Sequence, residues 1–305
     1  MEFHRDAATE AETARWQGHP QGRPGWTPTR DGRRLFFQAV DGPGPTVVFE
    51  AGIASTRSIW GLVQPAVGGD ARSVVYDRAG LGLSPRATGS RRLHELADDL
   101  NDLLDHLDGE RESDAGFVLV GHSWGGPIVR LAASVRPERI RALVLVDPAD
   151  EDCELYYSPA TERATRIQNA LFPGLARIGL LRWVYGLTAG SLPSQIRADV
   201  RREMYTPGAV ATQIAESTSM SDDLRELRAA SIDVPAIPLT IISGGKSAGV
   251  GAEGRRQLIA AHRARAERAE HGRHVIASRS GHVVMLSEPE VVAAEIQQVL
   301  RASSR

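Results

Sequence analysis

The sequence predicts an α/β fold: a mostly parallel central sheet with helices on both faces and an inserted helical cap. Short apolar runs alternate with helical segments as far as about residue 148. The alternation then lapses until about residue 230, and a further apolar run, Ile237 to Ile242, resumes it. Strands that alternate with helices pair in parallel, because each crossover helix carries the chain back to the same edge of the sheet.

Residues 1–25 mix charge with Gly and Pro, as in Gln17-Gly18-His19-Pro20-Gln21-Gly22-Arg23-Pro24-Gly25, and show no apolar period; they predict a flexible N-terminal tail. Strands are expected at Arg33 to Val40, Thr46 to Glu50 and Ser73 to Tyr76, with Asp41-Gly42-Pro43-Gly44-Pro45 as a turn. Leu93, Leu96, Leu100, Leu103, Leu104 and Leu107 trace one helical face. Phe117 to Val120 and Ala142 to Val146 follow as strands, with a helix from about Pro127 to Val135 between them. Residues 26–148 and 231–305 thus form the core domain. Residues 149–230 form the cap, helical in patches such as Leu171 to Leu187 and Ser194 to Met204 and broken at Pro159, Pro173, Pro193 and Pro207. After Ile242 the chain predicts an Arg-rich helix from Gly254 to about Ala269, a short strand His274 to Ala277 and a closing amphipathic helix Glu290 to Leu300. The arginines at 255–268 alternate with Ala and Glu and predict a solvated face.

With 305 residues, 42% hydrophobic and 24% charged, the chain can bury a full core. A net charge of −2 offers no basic field for nucleic acid and no polybasic patch for a membrane. The single cysteine, Cys153, excludes an intrachain disulfide framework, and no Cys/His cluster has zinc spacing. No signal-peptide pattern and no run of 18 apolar residues occur, so a cytoplasmic protein is expected.

Chemistry is concentrated in Gly121-His122-Ser123-Trp124-Gly125-Gly126, which joins a predicted strand to a predicted helix. A sharp strand-to-helix turn crowds the backbone of its central residue, so the flanking positions must be small. It exposes the Ser123 hydroxyl near a helix N-terminus, where free N–H groups favour developing negative charge. A serine hydroxyl needs a general base, and the base needs a carboxylate to hold its tautomer. His282, in Ser280-Gly281-His282-Val283-Val284 just past the last strand, is the candidate base; His122, inside the turn, is expected to point elsewhere.

These features resemble the α/β-hydrolase superfamily in its serine-nucleophile branch with a helical cap, over roughly residues 26–305. Tyr76-Asp77-Arg78-Ala79-Gly80-Leu81-Gly82-Leu83-Ser84 is similar to that family's loop after the fourth strand, and Ser280-Gly281-His282 with Glu288-Pro289-Glu290 to its histidine segment. The resemblance implies the fold and the roles of Ser123 and His282. Most members carry the triad acid just after the strand that follows the cap, but Ser243 to Gly251 contains no carboxylate and Glu253 is the first available. Some branches place the acid at the end of the strand before the cap, where Asp147 stands and keeps the order Ser, acid, His. Asp147 is the expected acid, with Asp150 and Glu253 in reserve. The oxyanion donors expected are the N–H groups of Trp124 and of Ile53, in Glu50-Ala51-Gly52-Ile53-Ala54-Ser55, where Ala51 replaces the family's frequent His.

The implied activity is that of a cofactor-independent serine hydrolase, without metal, acting on an ester, lactone or thioester of a small apolar molecule. Trp124, Phe172 and Trp183 are expected to bind the substrate, because the cap segment around Leu171 to Tyr185 is more apolar than a two-sided surface requires. Amide or peptide cleavage uses the same triad and stays open, as do a lyase or cyclase and a small-molecule receptor on this fold.

Overall fold

Strands buried on both faces read as unbroken apolar runs, and those runs become the middle of an eight-stranded sheet. A computed structural model describes residues 15–110, 115–232, 236–247 and 250–303. Its strands are β1 (Arg23–Pro28), β2 (Arg34–Val40), β3 (Thr46–Glu50), β4 (Arg72–Tyr76), β5 (Phe117–His122), β6 (Ile140–Val146), β7 (Leu239–Gly244) and β8 (Gly272–Ala277). They lie in the order β1-β2-β4-β3-β5-β6-β7-β8. The pairs β1/β2 and β2/β4 are antiparallel and the rest parallel.

Alternate residues of the parallel strands feed two cores. Val48, Val74, Leu119, Leu143 and Ile241 pack under α1 (Leu93–Gly109) and α2 (Gly125–Val135). Phe49, Val75, Val120, Val144 and Val146 face Trp60, Val63 and the apolar stripe of the last helix, Pro289–Ser303.

Between β6 and β7 the chain forms the expected helical insertion: α3 (Pro159–Arg177), α4 (Leu180–Thr188), α5 (Ser194–Glu203) and α6 (Pro207–Ala230). Ser158 caps α3 and Thr206 caps α6, each side chain accepting from the backbone N–H three residues on, and a proline occupies the first helical position of both. Pro173 does not end α3 as its sequence suggests; the helix runs through it and stops before Gly179, which takes a left-handed φ of 76°. The helix α6 lacked a legible stripe because its buried face is itself polar, with Thr212, Gln213, Glu216 and Asp223 beside Val210, Leu224 and Leu227.

The N-terminal expectation needs correction from residue 15 onward. Trp16 is buried against Phe36, His19 and Gln21 are buried, and Arg23–Pro28 adds an edge strand to the sheet. Arg15 pairs with Asp199 and Glu203 of α5. Residues 1–14 lie outside the described residues.

Candidate active site

Ser123 sits between β5 and α2 with a φ of 53°, a left-handed conformation that costs a non-glycine residue of the order of 1–2 kcal/mol. The turn tolerates no side chain on either flank. A Cβ on Gly121 would lie 2.5 Å from the Gly125 carbonyl oxygen, and one on Gly125 would lie 2.6 Å from that of Glu50. The Ser123 N–H donates to the Val146 carbonyl, and the Ser123 carbonyl accepts from Gly126 and Ala149, so both neighbouring segments hold the strained residue.

Asp147 follows β6 and is also left-handed, with a φ of 43°. Its N–H donates to the carbonyl of Ile242 on β7, which turns the carboxylate toward the loop after β8. That loop carries His282. Glu288 accepts from the Ser280 hydroxyl and the Arg279 N–H, while Ser280 accepts from the Lys246 N–H. Gly244 permits this close approach, since a Cβ there would meet the Gly281 carbonyl oxygen at 2.0 Å.

The three side chains meet in line. His282 Nδ1 lies 2.7 Å from Asp147 Oδ2, and His282 Nε2 lies 3.0 Å from Ser123 Oγ. With the carboxylate ionised, Nδ1–H donates to Asp147 and Nε2 accepts from the serine hydroxyl, the tautomer that proton abstraction requires. Burial alone would push the Asp147 carboxyl upward, but the His282 hydrogen bond and charge, followed by His262 and Arg255, hold it well below the usual carboxylate range. Its second oxygen accepts from the Gly244 N–H at 2.9 Å and from Arg255 Nη1 at 2.6 Å.

The other two carboxylates lie elsewhere. Asp150 is buried and bidentate to Arg265, and Glu253 is exposed beside Arg256 and Gln257. The helix Gly251–Arg268, here α7, therefore departs from the solvated face expected of its arginines. Arg255 and Arg265 share the side that also buries Leu258 and His262, and each finds a carboxylate on the segment after β6; Arg256, Arg263 and Arg268 remain exposed. The sequence showed these charges but not the partners more than a hundred residues away.

His122 does not point away from the site. Its Nε2–H donates to the His282 carbonyl oxygen at 3.0 Å, and the two rings stand 4.7 Å apart. Burial, reinforced by the neighbouring His282, pushes its pKa down to about 3, so it is neutral and supports the loop that carries His282. Its position beside the nucleophile was the available signal.

Ile53 and Trp124, the expected oxyanion donors, have backbone N–H groups without a hydrogen-bond acceptor among the described residues. The Trp124 ring is fully buried in the α1/α2-side core. The expected substrate contacts from the cap are not brought to the triad. Phe172 packs inside the insertion with Leu175, Tyr185 and Ile214 around Ala176, Leu181 and Val210, while Trp183 is 66% exposed and joins no buried cluster. The insertion spends its apolar faces on its own small core and, through Leu224, Leu227 and Ile196, on the sheet domain, which leaves Leu171, Ile178 and Trp183 outside. A cavity of about 290 Å³ opens between α3 and α6, with Thr161, Asn169, Ser217 and Arg225 in its wall, and none of the triad side chains lines it. His282 is 41% exposed, so the triad opens to solvent directly.

The family model described as the alpha/beta hydrolase fold matches residues 45–289. YqjL of Bacillus subtilis is 32% identical over 128 residues, 42% of this chain and 49% of that protein, so the chain spans about half the length of this relative. An AB hydrolase superfamily protein of Gibberella zeae is 25% identical over 305 residues, covering 87% of this chain and 91% of that one. Among solved structures, a thermophilic esterase from Thermogutta terrifontis superposes with a TM-score of 0.68 over 92% of this chain and 99% of that chain, at 19% identity, a likeness of fold. Four-fifths of the chain lies in the matched segment and the sheet has the order that fold requires: the chain belongs to the alpha/beta hydrolase fold family.

Proposed function

We propose that the protein is a cofactor-independent serine hydrolase that cleaves a carboxylic ester, lactone or thioester of a small, largely apolar molecule through an acyl-enzyme. The observation that carries this reading is the continuous chain from Asp147 Oδ2 through the imidazole of His282 to Ser123 Oγ, at 2.7 and 3.0 Å. In it, Ser123 Oγ attacks the carbonyl carbon and His282 Nε2 takes the hydroxyl proton. Asp147 stabilises the imidazolium, and the Ile53 and Trp124 N–H groups receive the oxyanion. The imidazolium then protonates the leaving oxygen or sulfur. Water, deprotonated by the same imidazole, attacks the acyl-enzyme, and the imidazolium returns that proton to Ser123 Oγ as the C–Oγ bond breaks and the acid leaves.

A serine at the elbow supports acyl chemistry over the alkyl-ester chemistry that requires a carboxylate nucleophile at that position. The half-buried Ile53 and Met220 beside the α1/α2-side core supply apolar surface near the loop after β3 and on α6. Exposure to a fluorophosphonate followed by peptide mass spectrometry tests the nucleophile, and turnover of short p-nitrophenyl esters tests the reaction. Covalent label on Ser123, with hydrolysis abolished in Ser123→Ala, is the expected result. An unlabelled Ser123 in folded protein would sink the reading.

A further inference from the structure

Arg78 lies in the loop after β4, fully buried, and all five of its guanidinium N–H donors are used. Nη1 donates to Glu50 Oε1 at 2.5 Å and to the Ala51 carbonyl at 2.6 Å. Nη2 donates to the Gly52 carbonyl at 2.8 Å and to Glu216 Oε2 at 2.8 Å, and Nε donates to Glu216 Oε1 at 3.1 Å. One planar fork thus grips the loop after β3 on one side and α6 of the insertion on the other. Glu216 is held in turn by Arg91, and Glu50 by the Tyr76 hydroxyl.

The grip falls on a particular peptide group. The Gly52 carbonyl and the Ile53 N–H belong to the same amide, and among the described residues no peptide bond is cis. In a trans amide the N–H points opposite to the C=O, so a cation that fixes the carbonyl also fixes the direction of the N–H. Donation into the carbonyl further polarises the amide and strengthens the N–H as a donor. This amide flanks the nucleophile: a Cβ on Gly52 would lie 3.0 Å from Ser123 Cβ. Ala54, two residues on, has a φ of 63°, a strained conformation that must be held by its surroundings.

We infer that Arg78 is a positioning residue that couples the insertion to the oxyanion site, orienting the Ile53 N–H through the Gly52 carbonyl with Glu216 as its anchor on α6. The inference rests on the serine-hydrolase reading above. The Gly52 carbonyl also accepts from the Ser55 N–H at 3.2 Å, so loss of the Glu216 anchor loosens the hold on this amide rather than releasing it.

The test compares wild type with Arg78→Lys, which keeps the charge and loses the fork, and Glu216→Gln, which keeps the shape and loses the charged anchor. Should Arg78→Lys fail to fold, Glu216→Gln carries the measurement alone. Both variants should lower kcat for a p-nitrophenyl ester by roughly 10- to 100-fold, somewhat less than outright loss of an oxyanion donor, with KM within about twofold. Affinity for a phenylboronic acid, whose boron accepts Ser123 Oγ and places an oxygen at the oxyanion site, should fall by the same factor. Unchanged kcat and boronate affinity in folded, fluorophosphonate-reactive variants would overturn the inference and leave the triad standing. A rise in KM that matches the loss of boronate affinity, together with a fall in Tm, would reduce Arg78 to a structural tie and overturn it too. Failure of wild-type Ser123 to react with the fluorophosphonate would bring down both readings.

Discussion

Between the sheet and its flanking helices the contacts are apolar on both faces, with Leu119, Leu143 and Ile241 on one side and Phe49, Val120 and Val144 on the other. Along the seam between the sheet domain and the insertion apolar contacts, Leu224 and Leu227 in the α1/α2-side core and Ile196 beside Leu62 and Leu286, are interleaved with buried ion pairs: Arg57 reaches Asp77, Asp199 and Glu203, Arg78 and Arg91 reach Glu216, and Arg92 reaches Asp223. The side chains of Arg57, Arg78 and Glu216 are almost completely buried. Apolar burial is non-directional and scales with area. Buried ion pairs recover little net stability after desolvation, yet they require a defined geometry and leave an uncompensated charge when one partner is lost. The sheet is therefore built for strength, while the ion pairs of the seam add register, and register is what a loop beside Ser123 needs.

The largest effects should arise at Ser123, Asp147 and His282, on the sheet domain. Ser123→Ala should lower ester kcat by roughly 10⁴-fold or more with an unchanged near-UV spectrum and Tm, and Asp147→Asn by roughly 10³- to 10⁴-fold through the wrong tautomer of His282, with a lower Tm because buried Arg255 loses its anionic partner. Near-normal turnover in either would break the link between strained backbone and chemistry. Arg57→Met should then cost about 3–5 kcal/mol in urea unfolding, because it leaves buried Asp77 without its cation and Asp199 and Glu203 to share Arg15, and limited proteolysis should cut within residues 154–230 first. A loss below about 1 kcal/mol would show that the seam is not electrostatic in the sense argued.

Acid offers a graded version. The pKa of His122 falls from 6.5 to about 3 on folding, through burial first and His282 second. Between those values the unfolded chain binds the extra proton, so stability from this site is complete above 6.5 and declines as pH falls toward about 3. At pH 5.5 the site should have lost roughly 1 kcal/mol relative to pH 7.5. His122→Gln should shrink the pH 7.5-to-5.5 difference in unfolding free energy by that amount, and an identical pH dependence in the two proteins would remove His122 from the account. Trp183→Ser and Glu253→Gln, both on exposed surface, should change stability by no more than about 0.5 kcal/mol and leave KM unaltered. A marked rise in KM for Trp183→Ser would return that residue to the substrate path.

Segments whose function is written in neighbouring residues were legible from the sequence. Gly121 and Gly125 announce a tight turn around Ser123, the apolar runs announce strands covered on both sides, and the order of Ser123, an acid and His282 follows from chain position alone. Where two distant segments must meet, the sequence ranked candidates without showing their partners. Chain order favoured Asp147 over Asp150 and Glu253; the end of β6, turned by the hydrogen bond from Asp147 to Ile242, puts the first on His282 and leaves the second to Arg265. The edge strand at Arg23–Pro28 stayed hidden because Pro24 and Gly25 read as turn, and β2 supplied the pairing. The burial of Arg57, Arg78, Arg255 and Arg265 was hidden for the same reason. A charged side chain shows in its own sequence only its cost of desolvation, and only the tertiary structure decides whether a partner arrives to offset it.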